Sequence, residues 1–283
     1  MINPRIGVCS WSLRPARPPE LVSALRQVGI RSVQLALGPV ILEPAVWGAA
    51  IGELRREGIE IVSGMMAMSG EDYSSLESIA RTAGVRLDDT WPANRAHAEA
   101  VAALAADEGL DLVTFHGGFI PEDRADPERA KLLERLRTVA DIFASHQLRL
   151  GFETGQETAQ TLVEALDDLD RPNIGVNFDP ANMILYGKGD PIEALRLLGP
   201  HVVQVHVKDA VPTTTPGTWG TEVPVGNGAV DWQAFFEVAL AIDPPVNFII
   251  EREAGADPST DIPKARDLIQ TYVGSSPSHT PPS

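Results

Sequence analysis

The chain has 283 residues, of which 43% are hydrophobic, and its formal net charge at pH 7 is −16. This length suits one large domain with a sizeable core. The acidic balance disfavours binding to nucleic acid, because such affinity comes largely from neutralising phosphates.

The cysteine count and the hydropathy of the chain exclude several further classes of protein. The one cysteine, Cys9, rules out an internal disulfide and a cysteine-based zinc cluster. No apolar run approaches the about 18 residues of a membrane span, and the first residues lack a secretory signal pattern. We therefore expect a cytoplasmic protein with neither a nucleic-acid nor a membrane partner; a homo-oligomer is compatible with the sequence.

Strand-like and helix-like segments alternate along the whole chain. Strands are predicted over 6–10, 32–37, 59–65, 112–115, 149–154, 174–178, 202–209 and 247–251. Helices are predicted over 19–28, 44–57, 94–108, 126–146, 158–169, 191–198 and 261–272, with a further helix that begins after the cap Asp231.

Eight strand–helix units favour parallel pairing through right-handed crossovers and close most naturally into a single (β/α)₈ TIM barrel. We expect this barrel over residues 1–273 and a flexible C-terminal tail over 274–283. A doubly wound open sheet is the alternative. The Gly-x-Gly-x-x-Gly dinucleotide pattern is missing after the first strand, and no Walker-type phosphate loop is present.

The segment 202–209 reads as a strand with two different faces. Successive side chains of a strand point to opposite sides. This places Val203, Val205 and Val207 on an apolar face and His206 and Lys208, with Gln204, on the other. In a barrel, the apolar face contacts the helices and the mixed face points inward.

The same alternation places four functional side chains inside the barrel: Glu153, Asp179, His206 and Glu251. Each lies at the carboxyl end of its strand, which is where barrel active sites are built. Three converging carboxylates repel one another in a low dielectric unless a cation neutralises them. Three carboxylates and one imidazole suit Mn²⁺ first, and Mg²⁺, Co²⁺ or Zn²⁺ as alternatives.

The order Glu153, Asp179, His206, Glu251 resembles the metal-binding pattern of the xylose isomerase-like TIM barrel superfamily, in its sugar phosphate isomerase/epimerase group. The resemblance extends over roughly residues 6–272 and includes Asn177-Phe178-Asp179-Pro180-Ala181-Asn182 and His206-Val207-Lys208-Asp209. It implies that Glu153 and Glu251 bind the metal and also form an acid/base pair on opposite faces of the substrate.

The chemistry that the resemblance implies is proton transfer on a small carbohydrate. A metal that polarises a carbonyl acidifies the neighbouring C–H, one glutamate removes that proton through a metal-stabilised enediolate, and the other returns a proton. Return to the opposite face gives epimerisation, and return to the next carbon gives isomerisation. A dehydratase or lyase acting on a keto-sugar or keto-inositol shares the first step and is the alternative. A non-catalytic metal- or sugar-binding barrel is a third reading, which the glutamate pair disfavours.

The sequence departs from two branches of the superfamily. Asn182 stands where the ketose 3-epimerase branch often has His, and Pro212 stands where that branch has Arg. The branch that resembles endonuclease IV needs a richer His/Asp cluster for three metals than this chain supplies. The departures weaken both specific assignments.

Five further residues are candidates for substrate binding: His116, Lys208, Asn182, Trp11 and Glu157. Four of them also have a structural reading: His116 as a packed histidine, Lys208 as a lysine paired with Glu153 or Asp179, Trp11 as a rim residue, and Glu157 as a glutamate in a first helical turn. The Gly-, Pro- and Thr-rich segment 213–228 is either a lid over the site or an ordinary long loop.

Overall fold

The computed structural model describes residues 4–274. Ten strands are present in this part of the chain: β1 Ile6–Cys9, β2 Ser32–Ala36, β3 Glu60–Met65, β4 Leu112–Phe115, β5 Arg149–Glu153, β6 Ile174–Phe178, β7 Val202–Val207, β8 Asp209–Val211, β9 Thr221–Val223 and β10 Asn247–Ile250. The predicted tail over 274–283 lies, apart from Gly274, outside the described residues.

Twelve α-helices separate or follow these strands within the described residues: α1 Pro18–Val28, α2 Gly38–Leu42, α3 Pro44–Trp47, α4 Ala50–Arg56, α5 Leu76–Thr82, α6 Trp91–Asp107, α7 Pro127–Ser145, α8 Ala159–Leu169, α9 Pro180–Leu185, α10 Pro191–Leu198, α11 Trp232–Ala239 and α12 Pro258–Val273. Short 3₁₀ turns lie at Ser10–Leu13 and Gly199–His201. No helix of residues 4–274 is long and apolar enough to cross a membrane.

Eight of the strands form a closed parallel barrel in the order β1-β10-β7-β6-β5-β4-β3-β2. This confirms the (β/α)₈ prediction and excludes the open sheet. Strands β8 and β9 instead form a separate antiparallel hairpin, which the sequence did not predict. The predicted helix over 44–57 is two helices, α3 and α4. Gly48 follows α3 at the end of that helix. A residue with a Cβ would not fit there, because the Cβ would lie 2.6 Å from the Pro44 carbonyl oxygen.

The apolar face of the strands packs against the helices, as the alternation predicts. Phe178 of β6 lies 6.4 Å from Phe235 of α11, and Phe248 of β10 lies 5.3 Å from Phe236, measured between ring centroids. Burial of these large side chains is the main stabilisation of the shell between barrel and helices. Asp231 caps α11, as predicted, by accepting the Ala234 N–H at 3.0 Å.

The prediction that Val203 shares the outer face with Val205 and Val207 is wrong. The pairing of β6 with β7 shifts register between Val176 and Asn177, so that Val203 falls in the irregularity. A Cβ added at the inward-facing Gly151 or Gly175 would lie 3.4 or 2.3 Å from a Val203 methyl group. Val203 therefore fills space that these two glycines leave in the barrel.

Candidate metal centre and substrate cavity

Four side chains converge at the carboxyl ends of β5, β6, β7 and β10. Glu153 ends β5, Asp179 follows β6, His206 lies in β7 and Glu251 follows β10. One oxygen or nitrogen atom from each lies within 4.8 Å of the other three, and all four side chains are buried. The structure therefore brings these four residues together at one centre.

His206 Nδ1 is the middle atom of the cluster. It lies 3.4 Å from Glu153 Oε1, 3.4 Å from Glu251 Oε2 and 3.7 Å from Asp179 Oδ2. Nδ1 and Asp179 Oδ2 are also buried without a hydrogen-bond partner in the described part of the chain. Buried polar atoms nearly always have partners, and a cation among these atoms would be one. The donor set, three carboxylates and an imidazole, fits a divalent ion.

Neighbouring groups orient two of these four side chains. His206 Nε2 lies 2.8 Å from Gln34 Oε1. His206 Nε2 also lies 3.0 Å from Asn177 Nδ2. For His206 to bind a cation through Nδ1, its hydrogen must lie on Nε2, and Gln34 Oε1 is the acceptor in place for that hydrogen. Asp179 Oδ1 accepts the N–H groups of Ala181 and Asn182 at 2.8 and 3.0 Å as the cap of α9, which directs Oδ2 inward.

A polar layer supports the centre from below. Gln34 Nε2 donates to Thr114 Oγ1 at 2.7 Å. Ser63 Oγ donates to Gln204 Oε1 at 2.7 Å, and Gln204 Nε2 donates to Asn177 Oδ1 at 3.2 Å. All five side chains are completely buried. The first of these contacts reaches His206 through Gln34, and the second chain reaches it through Asn177 Nδ2, which lies 3.0 Å from His206 Nε2. The layer therefore holds the imidazole in one orientation.

Charges in the cluster shift the pKa values of its members. Burial lowers the pKa of His206, but nearby anionic groups, Glu153 and Glu251 among them, outweigh burial and raise it well above the usual range. Burial raises the pKa of Glu251, yet Lys208 and His206 bring it well below its usual range. Burial dominates at Asp179 and raises its pKa despite Lys208. The surroundings thus favour the ionised forms of Glu153 and Glu251, and these negative charges are stabilised by positive groups nearby.

Lys208 supplies one of these charges. Its Nζ lies 2.8 Å from Glu251 Oε2 and 2.7 Å from Glu253 Oε2. It lies 3.9 Å from Asp179 Oδ2. The structural alternative for Lys208 named Glu153 or Asp179 as its partner, whereas the structure pairs it most closely with Glu251 and Glu253.

A cavity of about 230 Å³ opens directly above the cluster. Its lining comes from loops after several barrel strands and comprises Tyr73, His116, Glu153, Asn182, Leu185, Tyr186, Lys208, Trp219, Glu222 and Glu253. Tyr186 packs edge-on against Trp219 with ring centroids 5.1 Å apart. Polar groups and aromatic rings around a small space suit a hydroxylated molecule with apolar C–H faces.

Three more of the sequence candidates touch the glutamates of the centre. Trp11 Nε1 donates to Glu251 Oε1 at 2.8 Å, and Asn182 Nδ2 donates to Glu153 Oε1 at 3.0 Å. His116 Nε2 lies 3.7 Å from Glu153 Oε2. These contacts leave each glutamate held from two sides.

Glu157 is placed differently. It is buried but does not line the cavity, and it makes no hydrogen bond or ion pair with the described residues. Burial raises its pKa to about 8, against a weaker lowering by the charge of Lys188.

Sequence reasoning missed Glu253, Glu222 and Tyr73 as lining residues. Glu253 had a usable signal, because strand alternation after β10 places it on the same side as Glu251. Glu222 and Tyr73 lie in the hairpin and in the segment after β3, where no periodicity marks which side chains face the barrel.

The segment 213–228 is partly a fixed structure. Asp209 Oδ2 accepts the N–H groups of Gly226 and Gly228 at 2.9 and 3.0 Å and the Trp232 Nε1–H at 3.0 Å. Glu222 accepts from Arg252 Nη1 at 2.6 Å and from the N–H groups of Glu253 and Ala254 at 3.0 and 3.2 Å. The hairpin therefore ties the end of β7 to the chain that follows β10.

Comparisons with known proteins agree with this architecture. A family model described as "Xylose isomerase-like TIM barrel" matches residues 22–272. The structure is similar to a xylose isomerase domain protein from Planctomyces limnophilus, with a TM-score of 0.86, 30% identity and coverage of 96% of this chain and 98% of that one.

Two further relatives have named activities. An L-ribulose 3-epimerase structure is similar with a TM-score of 0.72, at 16% identity over 98% of this chain and 100% of that one. The curated 3-dehydroshikimate dehydratase of Bacillus anthracis is 28% identical over 100 residues, which are 34% of this chain. The chain spans only 55% and 35% of the lengths of the curated relatives it matches.

Proposed function

Because this chain belongs to the xylose isomerase-like TIM barrel family, we propose that it is a divalent-metal-dependent isomerase or epimerase of a sugar or sugar derivative. One observation carries the proposal: Glu153 and Glu251 approach His206 Nδ1 from different strands at the same distance, 3.4 Å. Two carboxylates at one buried centre are what proton removal and proton return require.

The metal ligands in this proposal are Glu153, Asp179, His206 and Glu251. The buried, unpartnered Asp179 Oδ2 and His206 Nδ1 support this assignment, and Mn²⁺ is the preferred ion with Mg²⁺, Co²⁺ or Zn²⁺ as alternatives. When bound, the cation would polarise a substrate carbonyl and make the adjacent C–H more acidic.

The protein groups then have separate tasks. One glutamate removes the proton next to the carbonyl and the other returns a proton to the opposite face or to the neighbouring carbon. Trp11 and Asn182 hold the two carboxylates, because each donates a hydrogen bond to one of them. His116 and Lys208 line the same cavity, and His116 is available to contact a substrate oxygen.

The test replaces the two glutamates separately with their isosteric amides. We expect Glu153→Gln and Glu251→Gln each to lower turnover at least about a hundredfold, the scale of general acid–base catalysis, while circular dichroism stays unchanged. Glu60→Gln, an exposed ion-pair residue at the start of β3, is the control. Full activity in both glutamine variants would rule the mechanism out.

A dehydratase of a keto-sugar or keto-inositol is the second candidate, supported by the match to the 3-dehydroshikimate dehydratase. Incubation with a panel of ketoses in D₂O separates the two. Solvent deuterium in a recovered isomer indicates an isomerase or epimerase, whereas a dehydrated enone indicates a lyase. Exchange in neither form across the panel would favour a binding protein. The cytoplasmic location remains a prediction from the sequence, with which a homo-oligomeric state is compatible.

A further inference from the structure

The positive charge inside the cavity is already fully engaged. An ammonium group has three N–H donors, and Lys208 Nζ has three acceptors: Glu251 Oε2 at 2.8 Å, Glu253 Oε2 at 2.7 Å and Asn182 Oδ1 at 3.4 Å. Its side chain is only 3% exposed. Lys208 therefore has no donor left for an anionic group of a substrate.

The other cation beside the cavity is engaged in the same way. Arg252 donates to Glu222 Oε1 at 2.6 Å and to Asp261 Oδ2 at 3.0 Å, and it is buried. Among the described lining residues, Lys208 is the one with a fixed positive charge, whereas Glu153, Glu222 and Glu253 bring three carboxylates. A phosphate or carboxylate that enters this space therefore meets three carboxylates and finds no unengaged fixed positive charge among these lining residues.

Glu253 lies where it affects the charge of the cavity most directly. Its Oε2 takes one donor of Lys208, while its Oε1 makes no hydrogen bond with the described residues. Its side chain is 55% exposed, so that it lies at the open side of the pair and lines the cavity. A free carboxylate oxygen in this place accepts a hydroxyl hydrogen and repels an anion.

We propose that Glu253 is a specificity-determining residue that makes the site select an uncharged, polyhydroxylated substrate over phosphate esters and sugar acids. This inference rests on the proposed function, because it assigns the substrate class of the same site. It adds that Lys208 serves as a partner of Glu251 and Glu253 rather than as a receptor for phosphate.

The test measures binding without turnover, so that its outcome is separate from that of the glutamine variants above. Calorimetry on the full chain with saturating Mg²⁺ compares D-fructose with D-fructose 6-phosphate, and uses sulfate as a plain dianion. We expect the wild type to bind the free ketose at least tenfold more tightly than its ester and to show no sulfate binding. Glu253→Gln, which removes the negative charge beside Lys208, should reduce this preference at least tenfold and allow sulfate to bind.

Two variants separate charge from structure. Glu253→Asp keeps the carboxylate and should keep the preference, and Glu60→Gln removes one charge at an exposed ion pair and should not alter it. Tighter binding of the ester than of the ketose by the wild type would overturn the proposal. An unchanged preference in Glu253→Gln would do so as well.

Discussion

The contact between His206 Nε2 and Gln34 Oε1 provides an acceptor for an Nε2 hydrogen, so that Nδ1 can bind a cation among the carboxylates. Gln34 comes from β2, three strands away from β7 around the barrel, and its Nε2 donates one hydrogen bond to Thr114 Oγ1. Sequence alone gave no sign of this pairing, since Gln34 lies 172 positions from His206. The orientation of a ligand residue is therefore a tertiary property here, although its identity is not.

Gln34→Leu should weaken metal binding about 10- to 100-fold, the range for lost supporting hydrogen bonds at metal ligands. The physical reason is that the imidazole loses the acceptor that fixes its tautomer and ring orientation. Calorimetric titration with Mn²⁺ measures the effect, and Gln233→Leu on the exposed face of α11 is the control. Equal affinities in both variants and the wild type would contradict the assigned role of Gln34.

The raised pKa of Glu157 predicts that the stability of the folded protein depends on pH. Burial raises its pKa from 4.5 to about 8, so between these values the folded state holds a proton that the unfolded state has released. The free energy of unfolding therefore falls as pH rises from about 4.5 to about 8, by roughly 1.4 kcal/mol per unit at most for this group, and is constant above.

Glu157→Gln should remove this loss, because the amide does not ionise. Relative to the wild type, the variant should gain stability with rising pH across that window, by a few kcal/mol (on the order of 3). Urea unfolding at pH 5, 6.5 and 8.5 measures the difference, with Glu77→Gln, an exposed residue of α5, as the control. A constant difference over this range would show that Glu157 is ionised throughout.

At the scale of elements, the β8–β9 hairpin is the feature that sequence patterns did not indicate. Its strands have three residues each, too short for a recognisable alternation. Its position depends on Asp209, which accepts five N–H groups, and on Glu222, which reaches the chain after β10. The hairpin thus lines the cavity as a fixed support within the segment 213–228.

Asp209→Ala should destabilise the protein by about 3 kcal/mol or more, because several buried donors lose their acceptor at once. It should also raise KM, since Trp219 and Glu222 lose their support beside the cavity. Chemical unfolding and steady-state kinetics test both effects, and Asp107→Ala at the exposed end of α6 should stay within about 0.5 kcal/mol of the wild type. If Asp209→Ala also lowered the free energy of unfolding by no more than about 0.5 kcal/mol, the hairpin would not depend on Asp209 for its position.

At the scale of the whole molecule, the barrel brings together four candidate metal ligands that span 99 positions, from Glu153 to Glu251. Their mutual repulsion is a cost that closure of the barrel imposes and that a cation relieves. The overall charge of −16 is consistent with a cavity that attracts cations.

A divalent cation should therefore stabilise the fold. Relative to the chelator-treated protein, Mn²⁺ at about 100 times its Kd should add about 2.7 kcal/mol and raise Tm by roughly 5 °C. Asp179→Asn is the matched variant, because Asn still caps α9 but no longer offers an anionic oxygen; its shift should be much smaller. No shift in the wild type with any of Mn²⁺, Mg²⁺, Co²⁺ and Zn²⁺ would remove the metal from the proposal.

Local pattern by itself determined the eight barrel strands, to within two residues at each end, and the inward direction of the four cluster residues. This was possible because the alternation of side chains along a strand is a property of the backbone. When the barrel closes, side chains that point to the inner face of different strands come close together. Tertiary structure alone decided the inward position of Val203, the Gln34 support of His206 and the partners of Lys208. These depend on register shifts, on contacts across the barrel and on loops without periodicity, where residues far apart in sequence compete for the same space and the same hydrogen bonds.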